Sequence, residues 1–236
     1  MADYGLIVKN TNTEIQIDST YKNYVKHHAG YGHVDGGFHR ELSFSFAIDA
    51  NRSVIIAIKA PSFGHVQHAG FIKDSQYDKM TFDVGDSSDG GTVYYLAFIE
   101  GFINSLTGYG LIVRNKSNDL VFSSNEKYFK IINVYSGSLS HGDPPNYNSV
   151  NITVEDAANN YFILFPCASG LVRYPPADAT HFYTSVVWRG LKYIDATTIE
   201  IGCFGVIAGG AGPGVGGEWD DSAWTDAFTL IEVAPV

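Results

Sequence analysis

The residues best suited to chemistry gather in a few short stretches. Near the C-terminus, AGGAGPGVGGEW contains a formal G-x-G-x-x-G from Gly212 to Gly217. A dinucleotide fingerprint needs a strand-to-helix turn inside a βαβ unit. Here Pro213 interrupts the run and hairpin patterns surround it, so the stretch reads as a surface loop. Directly after it stand Glu218, Trp219, Asp220, Asp221 and Trp224. Carboxylates beside indoles can hold a sugar, or a cation through oxygen ligands. Paired acids also hydrolyse glycosides, but only when they flank a cleft at set separations, which adjacency in sequence does not provide. Trp219, Trp224, Asp220 and Asp221 are therefore read as interaction or glycan-contact residues on an acidic loop.

Histidines suggest metal chemistry next. His65 and His68 have a spacing that could ligate a transition metal, and His27, His28, His33 and His39 lie in a Gly- and Tyr-rich stretch. No Cys accompanies either group and carboxylates nearby are sparse. The expectation is no metal site, with His65 and His68 as weak candidates, and polar loop histidines otherwise. Ser140-His141-Gly142-Asp143 has the residue types of a triad, but a triad is assembled in space from separated positions. Asp86 to Gly91 reads as a hairpin loop before it reads as a calcium site. The expectation is a chain without catalytic residues or cofactor; a hydrolase using Glu218 or Asp220 ranks last.

The elements that would position these residues are strands. Of 236 residues, 45% are apolar and 17% charged, which disfavours disorder, and 14% are aromatic with 25 Gly, a balance that favours strands and tight turns. A formal charge of −10 without a basic cluster repels phosphate backbones, so no nucleic-acid partner is expected. No apolar run reaches the length of a membrane span, and MADYGLIV lacks the layout of a secretory signal. Without export, Cys167 and Cys203 read as two buried thiols, although two strands could bring them together.

One pattern organises the rest. Tyr4-Gly5-Leu6-Ile7-Val8-Lys9-Asn10 recurs as Tyr109-Gly110-Leu111-Ile112-Val113-Arg114-Asn115. Each copy continues as a hairpin. In the first, Asn10 to Thr13 turn and Ile15 and Ile17 return; in the second, Asn115 to Asn118 turn and Leu120 and Phe122 return. Ser19 and Lys22 are matched by Ser124 and Lys127. More hairpins are expected in both halves: FSFAID, a turn, then VIIAIKA in the first; VNITVED, a turn at Ala157 to Asn160, then YFILFPC in the second. KMTFDVGD and TVYYLAFIEGF complete the first half, LKYIDATTIEIGCFGVI and AFTLIEV the second. The expected fold is all-β: two tandem antiparallel β-sandwich-like domains related by duplication, 1–107 and 108–236. Each has its own core, and each strand has one buried and one wet face.

The opening Tyr-Gly-Leu-Ile-Val-Lys-Asn, with Ile-Asp-Ser a few residues on, resembles the start of a group of small β-rich proteins from tailed bacteriophages and prophages. The match spans Tyr4 to Ser19 and, more loosely, Tyr109 to Ser124. The resemblance implies a structural component of a tail tip, baseplate or fibre, made in the host cytoplasm and carried in the virion. Its partners would be copies of itself and neighbouring tail proteins. A module recognising a host surface glycan through Trp219 and Trp224 is the alternative.

Overall fold

A computed structural model describes residues 7–9, 15–18, 23–34, 40–46, 52–61, 65–67, 71–73, 78–85, 91–101, 110–115, 117–140, 148–165, 169–174, 181–211 and 225–236. Among them, every regular element is a β-strand and every pairing is antiparallel. The first half carries β1 (Ile7–Lys9), β2 (Ile15–Asp18), β3 (Tyr24–Val34), β4 (Arg40–Phe46), β5 (Val54–Lys59), β6 (His65–Gln67), β7 (Phe71–Lys73), β8 (Asp78–Gly85) and β9 (Gly91–Glu100). The second carries β10 (Ile112–Arg114), β11 (Leu120–Ser123), β12 (Ile131–Ser140), β13 (Ser149–Thr153), β14 (Tyr161–Phe165), β15 (Ser169–Tyr174), β16 (His181–Asp195), β17 (Thr198–Ala211) and β18 (Thr225–Val233).

Two hairpins stand alone, β1 with β2 and β10 with β11. They are the repeated opening, and they match in register as well as in spelling. Ile7 faces Asp18 and Val8 faces Ile17; then the register slips, so that Lys9 faces Ile15. Ile112 faces Ser123, Val113 faces Phe122, and after a slip at the same place Arg114 faces Leu120. The turn of the second copy explains its residues. Asn118 adopts a left-handed φ of 68°, which Asn tolerates, and Asn115 Oδ1 accepts from the Asp119 amide at 2.8 Å.

The remaining strands form two sheets. One runs β12-β18-β14-β5-β9-β3 and the other β13-β17-β16-β6-β8-β4, with β15 beside β16 and β7 beside β8. Each order places three strands of the second half beside three of the first. The halves meet where Ile58 of β5 faces Phe162 of β14, and where Val66 of β6 faces Leu191 of β16. In the expected tandem arrangement each half closes its own core. In the described residues, strand pairing and the core both pass from one half to the other.

Turns that reverse the chain do not all make hairpins. β16 and β17 are one, turning where Asp195 Oδ1 accepts from the Thr197 amide at 2.8 Å. By contrast β4 and β5 belong to different sheets, as do β13 and β14, and β8 and β9. Between those strands the chain passes from one sheet to the other, which corrects the expectation of hairpins there.

The main core lies between the sheets. Ile56, Tyr95, Phe162 and Leu230 of the six-stranded sheet pack with Leu191, Ile199 and Ile201 of the other. Tyr193 bridges the layers at the join, edge-on to Phe162 at 5.9 Å, with its hydroxyl donating to the Ile58 carbonyl at 3.4 Å. A second cluster covers the opposite face of the six-stranded sheet: Ala57, Leu96, Phe98, Ile163 and Val233, with Phe129 against Phe98 at 5.0 Å. Along much of their length the four inner strands are thus buried on both faces, which corrects the expectation of one wet face. Their sequences say so, since VIIAIK and YFILF are continuous rather than alternating.

Candidate functional site

Most residues singled out for chemistry lie outside the described residues: Gly212 to Trp224, including Trp219, Asp220 and Asp221, together with His68, His141, Asp143 and Cys167. His65 opens β6 opposite Gly85, and Cys203 sits in β17 opposite Arg189. Among the described residues no group of three His, Cys, Asp or Glu is placed to hold a metal ion.

The most concentrated polar chemistry is one the sequence did not advertise. Glu232 follows Phe228 and Leu230 on the inward side of β18 and is fully buried. Four donors converge on its carboxylate. Oε2 accepts from the Tyr135 hydroxyl at 2.7 Å and the Glu155 amide at 3.1 Å. Oε1 accepts from Asn160 Nδ2 at 2.7 Å and the Asp156 amide at 3.0 Å. Burial pushes the Glu232 carboxyl up, but the hydrogen bonds from Asn160, Asp156, Tyr135 and Glu155 together outweigh it and hold the group below its ordinary value. Burial, reinforced by Glu232, pushes the Tyr135 phenol up to about 12. The enclosed carboxylate has its hydrogen bonds filled by the protein. It fastens the corner between β13 and β14, where Asp156 Oδ1 also accepts from the Ala158 and Asn159 amides. Such a site holds a fold together; it offers a substrate no open ligand position.

Three features of the surface stand apart from this buried cluster. On the outer face of the six-stranded sheet, neighbouring strands align Tyr31, Tyr94 and Lys59 across β3, β9 and β5. Tyr31 and Tyr94 lie 6.0 Å apart, and Lys59 Nζ sits 5.1 Å from the rings of both Tyr94 and Tyr161. Tyr31 is 72% exposed. This is a row of aromatic faces with one cation among them.

The repeated hairpin contributes a second feature. The Leu111 amide donates to Ser124 Oγ at 2.9 Å, and a Cβ at Gly110 would come within 2.5 Å of that oxygen. The Gly and the Ser shared by both copies are therefore explained in the second by close approach. Val113 and Val121 are buried, while Leu111 and Ile112 are 53% and 42% exposed. The bulge after Val113 and the stack of Phe122 on Tyr128 at 5.0 Å share out the apolar residues in this way. The hairpin is tied to the first half: Asn23 Nδ2 donates to the Val121 carbonyl at 2.9 Å, and the Lys26 amide to the Lys127 carbonyl at 2.7 Å.

The sheet edges supply the third. β12 and β13 end the two sheets on one side, β3 and β4 on the other. β12 and β13 read IINVYSGSLS and SVNIT, without a charge; β3 carries Lys26 and three histidines, and β4 carries Arg40 and Glu41. Comparison with protein-family models, with curated proteins and with solved structures gives no match to this chain.

Proposed function

We propose that the chain is a non-enzymatic structural component of a bacteriophage tail that acts through protein–protein contacts. The observation that carries this reading is the duplicated hairpin. The segment that resembles tail proteins is spelled twice and built twice with one register and one slip, and its second copy turns Leu111 and Ile112 outward. Exposed apolar residues on a rigid, tethered hairpin suit assembly contacts. The test is mass spectrometry of purified particles, with and without Leu111→Asp and Ile112→Asp. The wild-type chain should co-purify with tails, and the double variant should remain folded but be lost from them. Particles that assemble normally and contain no such chain would end the proposal.

The tyrosine row favours glycan recognition as the second reading. Tyr31, Tyr94 and Tyr161 offer faces on which sugar rings can stack, and Lys59 favours an acidic sugar. A glycan array should then show binding that Tyr31→Ala weakens. A signal lost with Trp219→Ala and indifferent to Tyr31→Ala would move the site to the acidic loop.

A further inference from the structure

We infer that the uncharged end of the sandwich, formed by β12 and β13, is a two-fold interface with a second copy of this chain. This rests on, and deepens, the assembly reading by naming one partner and one surface. A sheet edge is a row of unpaired backbone groups, and a protein that stays monomeric blunts it with charge, proline or brevity. The β3–β4 end follows that rule. Among the described residues β12 does not: it runs ten residues without charge or proline, and its Ile131 and Val134 are 47% and 54% exposed. On a chain of formal charge −10, copies repel each other over most of their surface. The neutral end is where two copies can approach.

The molecule already contains a joint of this kind. Its halves meet through β5 and β14 in one layer and through β6 and β16 in the other, antiparallel in both. A two-fold axis perpendicular to the sheets would set β12 against β12 and β13 against β13 of the second copy, also antiparallel. Both layers would then continue across the boundary. Such an interface is isologous, so it closes at two copies. On the outer side of β12, Val134, Ser136 and Ser138 would face the same strand of the other copy, and one substitution enters the interface twice.

The test is sedimentation of the full chain from low to high micromolar concentration, with hydrogen exchange followed at both extremes. The wild type should sediment at twice the 25.7 kDa chain mass. Protection of 131–140 should rise with concentration. Val134→Lys, which sets like charges close together across the axis, should weaken the dimer at least about tenfold. Tyr31→Lys, at the opposite end, should leave it unchanged. A wild-type chain that is monomeric throughout, with flat protection over β12, overturns the inference. If that monomer still co-purifies with tails, the assembly role survives without this interface. A dimer abolished by Tyr31→Lys and indifferent to Val134→Lys also overturns it, because the contact would then lie at the wrong end.

Discussion

Glu232 sets the chemistry at the scale of single residues. Replacing it by Gln keeps the shape but turns an amide donor toward groups that already donate. Glu232→Gln should therefore cost about 3 kcal/mol at neutral pH, and Tyr135→Phe, which removes one of four donors, about 1–2 kcal/mol. Denaturant titration measures both. The pH dependence follows from the depressed carboxyl. Its stabilisation is complete above the ordinary glutamate range and is lost as pH falls through the lower folded value. The acid limb of the stability profile should thus flatten in Glu232→Gln; an unchanged limb would show that the carboxylate is not the group being titrated. In sequence, Glu232 was one acid in the apolar run AFTLIEV. Its parity with Phe228 and Leu230 was the available signal that it points inward. What the sequence could not supply was the donor set, because Tyr135 and Asn160 reach it from 97 and 72 positions away.

At the scale of elements, the same packing device occurs at both edges of the six-stranded sheet. Gly30 of edge strand β3 faces Tyr95 of β9, and Gly137 of edge strand β12 faces Phe228 of β18. In each case a Cβ on the glycine would fall 2.7 Å from the ring of its partner. The ring covers the glycine, and the glycine lets the ring lie flat on the edge strand. Gly30→Ala or Gly137→Ala should cost about 1–3 kcal/mol by overpacking. Combining Gly137→Ala with Phe228→Leu should cost less than the two changes measured separately, and strict additivity would deny the contact. Strand positions were legible in part from composition and alternation: Phe44 to Phe46 of FSFAID fall on β4, Val150 to Thr153 of VNITVED on β13, and the LKYID–TTIEIG hairpin on the β16–β17 turn. The destination of each strand was not. A turn signal reports that the chain reverses, and Ala157 to Asn160 reads alike whether the return strand pairs with its predecessor or crosses to the facing sheet.

For the whole molecule, the repeat was plain in the sequence and the junction was hidden. The join uses no special motif: Ile58 pairs with Phe162 and Val66 with Leu191, apolar residue types found in most of the strands. Because both layers continue through it, fragments 1–108 and 109–236 expressed separately should expose the faces of Ile58 and Phe162 and aggregate. Mixed during refolding, they should recover the circular dichroism of the full chain. A soluble, cooperatively melting 1–108 fragment would instead support two self-sufficient domains. Phe162→Ala, emptying a fully buried site beneath Tyr193, should cost about 3–5 kcal/mol in the intact protein.

Strand order also has a temporal side. β9 lies between β3 and β5, and β18 lies between β12 and β14, so the last strand of each half to leave the ribosome occupies the centre of its three. Outer strands made earlier must wait for the strand that joins them until the middle one arrives. Closure therefore depends on partners far apart in the chain, and refolding from denaturant should take milliseconds to seconds rather than microseconds. During synthesis the waiting strands are the molecule's period of greatest exposure to wrong partners, including other nascent copies of itself.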